Sequence, residues 1–483
     1  MPVELRVLSP AVPRLNPCAF DFEGSAVAAF EGESLAVALW AAGIRTLGRS
    51  TKYHRPRGAF CFEGHCGSCF LRVDGHPSVR ACMTPVGDGL RCARQNSFPS
   101  AEIDLLAAAD WMFPEQMDHH TLMTGNRVAN RLLVGLVRQM GGAGTLPDTA
   151  PADRYAARDE LVDVCIVGAG PAGLTAAAIL ARTAPTLRVL VVDEQRSPGG
   201  SWLAEPEGTA QADAALSELA TAPGNVVQVL SGAVAIGFFP EDLVESDARP
   251  DAIQGTLAVT TATGLLRVSA RRLLYATGAY DQNLPFFDND RPGIISARAC
   301  GRLAFRHGLR PGRRIAVVAV AAPESATAGH DYADRLVAGL IAAGLRAEDV
   351  QRIDTGQDGQ DGQEHVVAAR GATALRGLIV ASDTGQERRV AADVVAVAAL
   401  PAPASELPRQ HGPGGSDRSP VVLDEALGGF VAQVDGQFRL RHLSANRDKV
   451  FCCGDVTGYR GPAAAASAGA AAAAAITHTL EPI

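Results

Sequence analysis

The sequence has no excess of basic residues and no long apolar run. Its 483 residues include 44 Lys and Arg against 52 Asp and Glu, a formal net charge of −8. A net negative charge does not attract the phosphate backbone of a nucleic acid, so we expect no nucleic acid partner. The most apolar segment near the end, 463–476, is almost all alanine and shorter than the roughly 20 residues of a membrane span. The first 15 residues lack a signal-peptide pattern, so we expect a cytoplasmic protein without a transmembrane span.

Several catalytic motifs are absent as well. The sequence has no P-loop, no G-x-S-x-G and no H-E-x-x-H, so it offers no sign of the chemistries that depend on them. Its composition, 47% hydrophobic and 20% charged, is that of a globular protein, and its length predicts two to four domains. In the expected compartment, the ten cysteines are predicted to be ligands or core residues rather than disulfides.

Four cysteines follow the pattern C-x4-C-x2-C-x12-C. Cys61, Cys66 and Cys69 lie in a loop that contains glycine, and Cys82 follows. Small residues let the backbone curl so that thiolates face one point and amide N–H groups turn toward sulfur. A 2Fe–2S cluster requires this arrangement, and C-x4-C-x2-C with a more distant cysteine is the plant-type ferredoxin spacing. The distant cysteine comes sooner here than in plant ferredoxins.

Three other interpretations of these cysteines remain. They are a structural zinc site, four unconnected core cysteines and a disulfide. Zinc sites usually use two close pairs, and only one C-x2-C is present, so the cluster is favoured. Cys92, ten residues past Cys82, is expected to take no part.

A glycine motif follows directly on a strand-like segment. The segment 162–167 precedes G-x-G-x-x-G at 168–173, and a helix is predicted from Leu174 to about Arg182. In this context the motif predicts dinucleotide binding. The predicted site residues of the motif are Gly168 for the tight turn, Gly170 for approach of the pyrophosphate and Gly173 for helix packing, with Pro171 and Ala172 between them.

An acidic pair ends the next predicted strand. Asp193 lies 25 residues after Gly168, where a carboxylate can bind ribose hydroxyls, and Glu194 is the neighbouring alternative.

Two later segments resemble the A-T-G and G-D motifs of the two-dinucleotide-domain, glutathione-reductase-like flavoproteins. The first ends in Thr277 and Gly278, and the second in Gly454 and Asp455. The resemblance implies FAD as the dinucleotide, with Asp455 at its ribityl and phosphate part and the helix from about Pro462 pointing at the flavin. Gly199 and Gly200 match the family's Gly-Gly on the flavin side.

A second βαβ unit, beginning at Arg314, lacks the glycines. Ala319, Ala321 and Glu324 occupy the three positions, and alanine would crowd a pyrophosphate while Glu324 would repel it. NAD(P)H is therefore not expected there as a hydride donor, and a second nucleotide (NAD or ATP) is left open. This half of the sequence has no C-x4-C or C-x2-C, which argues against dithiol chemistry, and the adjacent Cys452 and Cys453 are expected to be structural.

Two segments are similar to the sarcosine oxidase alpha-subunit family, and a third resembles the ferredoxin-like part of other dehydrogenases and oxidases. Residues 48–58 resemble its G-R-S-x-K-Y-H-R-P-R-G signature, and 290–294 its D-R-P-G-I segment. The cysteine loop with 74–82 resembles the ferredoxin-like part of dye-linked proline and hydroxyproline dehydrogenases, opine oxidases and hydrogen cyanide synthase. Sarcosine oxidase alpha subunits have a C-terminal folate-binding domain and lack the cluster cysteines, so the resemblance implies the shorter alpha subunits of heteromeric dehydrogenases.

The resemblance implies an α/β protein, with an N-terminal β-grasp-like 2Fe–2S domain fused to a two-dinucleotide-binding-domain flavoprotein. The expected divisions are a ferredoxin-like domain at 1–105, a helical linker at 106–157, the first part of an FAD domain at 158–295, a degenerate dinucleotide domain at 296–405 and a return to the FAD domain at 406–483.

The resemblance also implies the function. Electrons from an amine or imino acid, oxidised by an FAD-dependent amino-acid-oxidase-like beta subunit, would pass through this chain to a quinone or another carrier. No catalytic residue is assigned to this chain. A stand-alone NAD(P)H-dependent reductase and a zinc-containing scaffold are the alternatives.

The basic segment 45–57 has two possible roles. Its cationic residues would bind a cofactor phosphate or an acidic partner near the cluster, or they would form a solvated loop folded over the second domain. The members are Arg45, Arg49, Lys52, His54, Arg55 and Arg57.

Overall fold

The computed structural model describes residues 5–6, 12, 14–50, 55–97, 100–101, 103, 128, 131, 156–222, 227–240, 251–320, 328–356, 364–412, 419–443 and 445–480. The chain forms two compact units. The first comprises Met1–Pro151, Asn283–Val318 and Leu340–Val397, and the second comprises Ala152–Gln282, Ala319–Gly339 and Ala398–Ile483. Nearly all of the expected linker at 106–157 lies outside the described residues, as do Ala321 and Glu324.

The N-terminal part of the first unit is a five-stranded mixed sheet packed on one helix. Its strand order is β2-β1-β7-β5-β6, and a short ribbon, β3-β4, lies beside it. Ser34 caps helix α1 by accepting the N–H of Val37, and every residue of that helix is buried. The elements are β1 (Pro17–Phe22), β2 (Ser25–Phe30), α1 (Leu35–Ala41), β3 (Gly48–Arg49), β4 (Pro56–Arg57), β5 (Phe70–Val73), β6 (His76–Arg80) and β7 (Arg91–Ala93).

The second unit is built on a seven-stranded sheet. Its order is β10-β9-β8-β13-β12-β11, and β25 pairs with β13. The strands are β8 (Ala157–Val167), β9 (Val189–Asp193), β10 (Val227–Ser231), β11 (Val234–Phe239), β12 (Thr256–Thr261), β13 (Gly264–Tyr275), β14 (Ala279–Tyr280), β22 (Ala402–Pro403), β23 (Val421–Asp424), β24 (Gly429–Ala432) and β25 (Val450–Cys452). The helices are α2 (Pro171–Thr183), α3 (Gly208–Thr221), α6 (Glu406–Arg409) and α7 (Pro462–Thr479).

Strand β8 has apolar residues on both faces because both faces of this sheet are covered. Val164 and Ile166 join a core formed with α2 and α7. Cys165 and Val167 point to a second core with β13 and β25. A strand buried on both sides has a continuous apolar run, which is the pattern of 164–167.

Most of the remaining elements belong to the C-terminal part of the first unit, and three of them (β16, α5 and β21) have residues in both units. A four-stranded sheet has the order β15-β21-β16-β17, and a three-stranded sheet has the order β18-β19-β20. The elements are β15 (Ile294–Ser296), α4 (Ala297–Gly301), a π-helical turn (Arg302–Arg306), β16 (Ile315–Val320), α5 (Ala328–Ala342), β17 (Val350–Thr355), β18 (His365–Arg370), β19 (Gly377–Ala381), β20 (Glu387–Ala391) and β21 (Val394–Ala398).

Candidate functional site

The loop between β4 and β5 curls because three of its residues take left-handed backbone conformations. Phe62 has φ of 58°, Gly64 of 84° and Gly67 of 63°. Glycine takes this conformation without steric cost, whereas Phe62 needs compensation from its surroundings. The Phe62 ring packs edge-on against Trp40 of α1, with ring centroids 5.5 Å apart.

This curl brings the predicted cluster cysteines together. The sulfurs of Cys69 and Cys82 are 3.4 Å apart, and Cys61 is in hydrogen-bond contact with Cys66 and Cys82. Backbone N–H groups also turn toward sulfur. Glu63 donates to Cys61 at 3.4 Å, and Gly64 donates to Cys82 at 3.1 Å.

Mutual hydrogen bonding divides the protons unevenly among the four thiols. The bonds from Cys66 and Cys82 hold the pKa of Cys61 well below its usual range. The bond from Cys82 lowers the pKa of Cys69. The same bonds raise the pKa of the Cys66 thiol and that of the Cys82 thiol.

The residues fit a 2Fe–2S cluster in donor type and approximate spacing. Two thiolates on one tetrahedral ion, at metal–sulfur distances of about 2.3 Å, lie about 3.7 Å apart, close to the 3.4 Å between Cys69 and Cys82. The described residues contain no group of three His, Cys, Asp or Glu side chains already spaced for one metal ion. The thiols contact one another, so a cluster would have to separate them. Cys61, Cys69 and Cys82 are buried, whereas Cys66 is exposed.

The loop runs along the segment 292–302 of the same unit. A Cβ placed on Gly58 would stand 3.1 Å from the Pro292 side chain. The Ser296 N–H donates to the Phe60 carbonyl at 3.1 Å. At the far end, Arg302 forms a buried ion pair with Glu63. The two segments that resemble family signatures are therefore in contact with each other.

The basic segment also folds onto this region. Arg57 pairs with Asp290 at 3.1 Å, and Arg55 lies 3.6 Å from the same carboxylate. Arg45 donates to the Pro311 carbonyl at 3.1 Å, and Arg49 donates to the Ala101 carbonyl at 2.7 Å. All of these partners lie in the first unit, and both interpretations of the segment remain open. The other two predicted members, Lys52 and His54, lie outside the described residues.

In the second unit, the ends of four strands bring the predicted dinucleotide residues into one row. Val167 pairs with Val192 and with Tyr275, and Tyr275 pairs with Cys452. The next residues of these parallel strands therefore lie at one edge of the sheet. They are the start of the glycine loop at Gly168, Asp193, the Thr277–Gly278 turn and the Gly454–Asp455 turn.

The glycine loop packs too tightly for side chains at two of its three glycines. Gly168 has φ of 106°, and a Cβ there would overlap the Ala276 carbonyl. A Cβ on Gly173 would overlap the Gly168 carbonyl. At Gly170 a Cβ would find its nearest neighbour, the Gly200 Cα, at 3.8 Å. The space above Gly170 suits the close approach of a pyrophosphate to the backbone, so this loop fits a dinucleotide.

Helix α2 begins at Pro171, three residues before the predicted start at Leu174. The prediction was wrong because proline is favourable at the first helical position, where its N–H would have no partner in the helix. Its N-terminus therefore lies within the glycine motif, and Ala172 is buried in its first turn. A helix N-terminus attracts phosphate through its backbone N–H groups and its dipole.

Asp193 closes the glycine loop. One carboxylate oxygen accepts the Ala169 N–H at 2.5 Å, and the other accepts the Gln195 N–H at 2.7 Å. No sequence pattern indicates this double role, because both bonds depend on how the strand and loop meet. Glu194, the alternative ribose ligand, follows at the same strand end and lies near Tyr280, whose pKa is raised mainly by burial.

The remaining predicted residues surround the loop. Thr277 donates its hydroxyl to the Ala404 carbonyl at 2.6 Å. Gly278 has φ of 76°, and a Cβ there would have no heavy atom within 4 Å. A Cβ on Gly200 would stand 2.8 Å from the Gly170 Cα, and one on Gly454 would stand 2.8 Å from the Ala172 side chain. Asp455, 5% exposed, follows Gly454.

Helix α7 packs closely on α2 as well as on the sheet. A Cβ on Gly469 would overlap the Ala172 carbonyl, so the helices approach to backbone contact. The single glycine within the alanine run was a signal for this contact that sequence reasoning missed. The carbonyl at the start of α2 is fixed by this contact.

Comparisons with known proteins agree with the two sites. Residues 16–97 match a family described as "2Fe-2S iron-sulfur cluster binding domain", and residues 153–206 match the Thi4 family. The whole fold is similar to the crystal structure of L-proline dehydrogenase from P. horikoshii. That similarity has a TM-score of 0.66 and 21% identity, and covers 99% of this chain and 76% of that one. Among the described residues, no helix is long and apolar enough to cross a membrane.

Two relatives share clear sequence identity. The alpha subunit of sarcosine oxidase from Rhizobium meliloti (strain 1021) is 33% identical over 320 residues, 63% of this chain and 32% of that protein. The HcnA subunit of hydrogen cyanide synthase from Pseudomonas aeruginosa is 39% identical over 74 residues, 15% of this chain and 70% of that protein. The chain spans less than half the length of the sarcosine oxidase subunits that it matches. With its 2Fe–2S domain and its proline-dehydrogenase-like fold, the chain belongs to the family that includes HcnA, the sarcosine oxidase alpha subunits and their opine oxidase counterpart.

Proposed function

We propose that this chain is the FAD- and 2Fe–2S-containing electron-transfer subunit of a heteromeric dehydrogenase or oxidase. The complex would act on the CH–NH bond of an amine or imino acid of the sarcosine, proline, hydroxyproline or opine class. Oxidation of the substrate would take place in an FAD-dependent partner subunit. This chain would relay the electrons to a quinone or another carrier.

One observation supports this proposal most directly. The same chain contains a loop of four converging thiols and a glycine loop that leaves room for a pyrophosphate at Gly170. When bound, FAD would accept an electron pair and a 2Fe–2S cluster would pass electrons singly. A protein with both groups can divide a two-electron oxidation into one-electron steps.

The residues proposed for FAD are those at the carboxyl edge of the seven-stranded sheet. Gly168, Gly170 and Gly173 would admit the pyrophosphate, and the N–H groups of α2 would bind it. Asp193 or Glu194 would bind the ribose, and Asp455 the ribityl and phosphate part. Cys61, Cys66, Cys69 and Cys82 would ligate the cluster, with the N–H groups of Glu63 and Gly64 directed at two of the sulfurs.

The relatives' names support the substrate class and the partner. Sarcosine oxidase and opine oxidase matches are named as subunits, and the structural neighbour is named a proline dehydrogenase. Sarcosine, opines and proline all present a C–N bond beside a carboxylate. The chain proposed here would then be the subunit that receives electrons from such a donor.

The visible spectrum and iron content of the purified chain test this proposal. We expect flavin bands, two irons per chain, an electron paramagnetic resonance signal after dithionite reduction and no bleaching by NADH under anaerobic conditions. Prompt bleaching by NADH would instead support the stand-alone reductase. Zinc without flavin would overturn both redox functions. Gly170→Ala serves as a matched variant, because it should lose flavin while retaining iron.

A further inference from the structure

The cysteine loop forms an ion pair with an arginine that lies far away in the sequence but in the same unit. Arg302 begins the π-helical turn that follows α4, and its guanidinium pairs with the carboxylate of Glu63. The side chains are 7% and 11% exposed, so the pair lies in a weakly screened environment. π-Helical turns are rare in proteins, and those that occur are often found at functional sites.

Glu63 lies between two of the hydrogen bonds that reach the cluster sulfurs. Its own N–H donates to Cys61 at 3.4 Å, and the N–H of the next residue, Gly64, donates to Cys82 at 3.1 Å. The Gly64 carbonyl is held by the Arg80 guanidinium at 2.8 Å. Two arginines therefore hold this stretch of the loop, Arg302 at the Glu63 side chain and Arg80 at the Gly64 carbonyl.

We propose that Arg302 is a positioning residue for the 2Fe–2S cluster, which fixes Glu63 and so keeps two N–H groups directed at the sulfurs of Cys61 and Cys82. Its positive charge also balances the Glu63 carboxylate beside the cluster. Both effects favour the reduced cluster, because reduction adds negative charge that N–H dipoles and cations stabilise. This inference rests on the proposed function, since it requires the cluster.

The neighbouring histidine does not share this role. Burial lowers the pKa of His307 to about 3, and the charges of Arg306 and Arg302 act in the same direction. His307 is therefore neutral at physiological pH. The positive charge of this turn comes from its arginines.

Redox titration of the cluster, followed by electron paramagnetic resonance, tests the proposal. Arg302→Gln should make the potential more negative by an amount equivalent to about tenfold in the one-electron equilibrium constant, about 59 mV. Arg302→Lys should recover most of the shift. Arg306→Gln, which removes a charge from the same turn but leaves the Glu63–Arg302 pair in place, should shift the potential by much less.

Glu63→Gln separates a charge effect from a loss of structure. Because the Gln oxygen can still accept from Arg302, Glu63→Gln should keep the N–H groups in place and raise the potential, opposite in sign to Arg302→Gln. A shift of both potentials in the same direction would overturn the inference. If Arg302→Gln loses its iron, Glu63→Gln provides the test. An unchanged potential in Glu63→Gln, or in an iron-replete Arg302→Gln, would overturn the inference and leave the proposed function intact. Wild-type protein without iron would overturn both.

Discussion

The carbonyl oxygen of Gly168 occupies the position that a side chain at Gly173 would need. The first and last glycines of the motif are therefore required by the protein's own backbone. The middle glycine differs, because a Cβ on Gly170 would meet nothing closer than 3.8 Å. Its lack of a side chain matters only if something else approaches the backbone there.

Gly170→Ala should therefore separate binding from folding. We expect FAD affinity to fall about tenfold or more, about 1.4 kcal/mol, because the new methyl group would occupy the path of the pyrophosphate. Stability of the flavin-free protein should change by less than about 1 kcal/mol, the scale of an N-cap substitution. Flavin titration and thermal unfolding of the flavin-free protein measure the two effects.

Gly173→Ala is the matched comparison. Its methyl group would overlap backbone, so both flavin binding and the stability of the flavin-free protein should fall, the latter by about 1–3 kcal/mol as in overpacked sites. If Gly170→Ala bound FAD as tightly as the wild type, the glycine loop would not be the pyrophosphate site.

The sequence predicted the candidate sites that depend on the conformation of a short stretch of backbone. The cysteine loop and the glycine motif each lie within a few residues of chain, and their spacing reflects turns that only small residues allow. The helix predicted from Leu174 to about Arg182 is present, with its start at Pro171. By contrast, β7 was missed because its three residues, Arg91–Ala93, are too few to show a period, although it lies in the middle of the N-terminal sheet.

Contacts between distant segments could not be predicted. Nothing in the local sequence indicates that Glu63 meets Arg302, or that Arg57 meets Asp290, because each pair depends on how the cluster loop packs in the first unit. For the basic segment, charge alone left two interpretations open. The carboxylate and carbonyl partners that its arginines contact in the first unit are not indicated by the sequence.

Asp193 and Glu194 should differ in what they contribute. Asp193→Asn replaces one of the two accepting oxygens by an NH2 group, which would face a backbone N–H without a hydrogen bond. We therefore expect a loss of about 1–3 kcal/mol of stability together with weaker flavin binding. Glu194→Gln should destabilise the protein less than Asp193→Asn. Thermal unfolding with flavin titration distinguishes the two, and equal destabilisation by both variants would contradict the loop-closing role of Asp193.

The four loop cysteines should differ from Cys92 in iron binding. Alanine at Cys61, Cys66, Cys69 or Cys82 removes one of four thiolates, so we expect iron to fall below half of the wild-type content and the signal of the reduced cluster to disappear. Cys92 is buried in β7, and burial raises the pKa of its thiol to about 11. Cys92→Ala should keep two irons per chain, and iron analysis of the five variants gives the answer. Loss of iron in Cys92→Ala, or full iron in one of the other four, would refute the assignment.

Two half-buried histidines should make the protein less stable in mild acid. Burial lowers the pKa of His411 to about 3, and that of His307 to the same value with the help of Arg306 and Arg302. The His411 ring stacks on Phe238 with centroids 3.9 Å apart, and its Nε2 lies 2.7 Å from the Tyr275 hydroxyl oxygen. Both histidines therefore stay neutral in the folded chain at pH 5.

The sign of the effect follows from proton uptake. Below about pH 6.5 an unfolded histidine binds a proton that the folded one does not, so stability is full above this pH and is lost as the pH falls toward 3. Each histidine should contribute a slope of about 1.4 kcal/mol per pH unit in that window.

The thermal midpoint of the wild type should fall between pH 7.5 and 5. That of His411→Gln should start lower but fall less steeply. His365→Gln, at an exposed position of β18, is the control and should follow the wild type. Equal slopes for wild type and His411→Gln would mean that His411 is protonated in the folded protein.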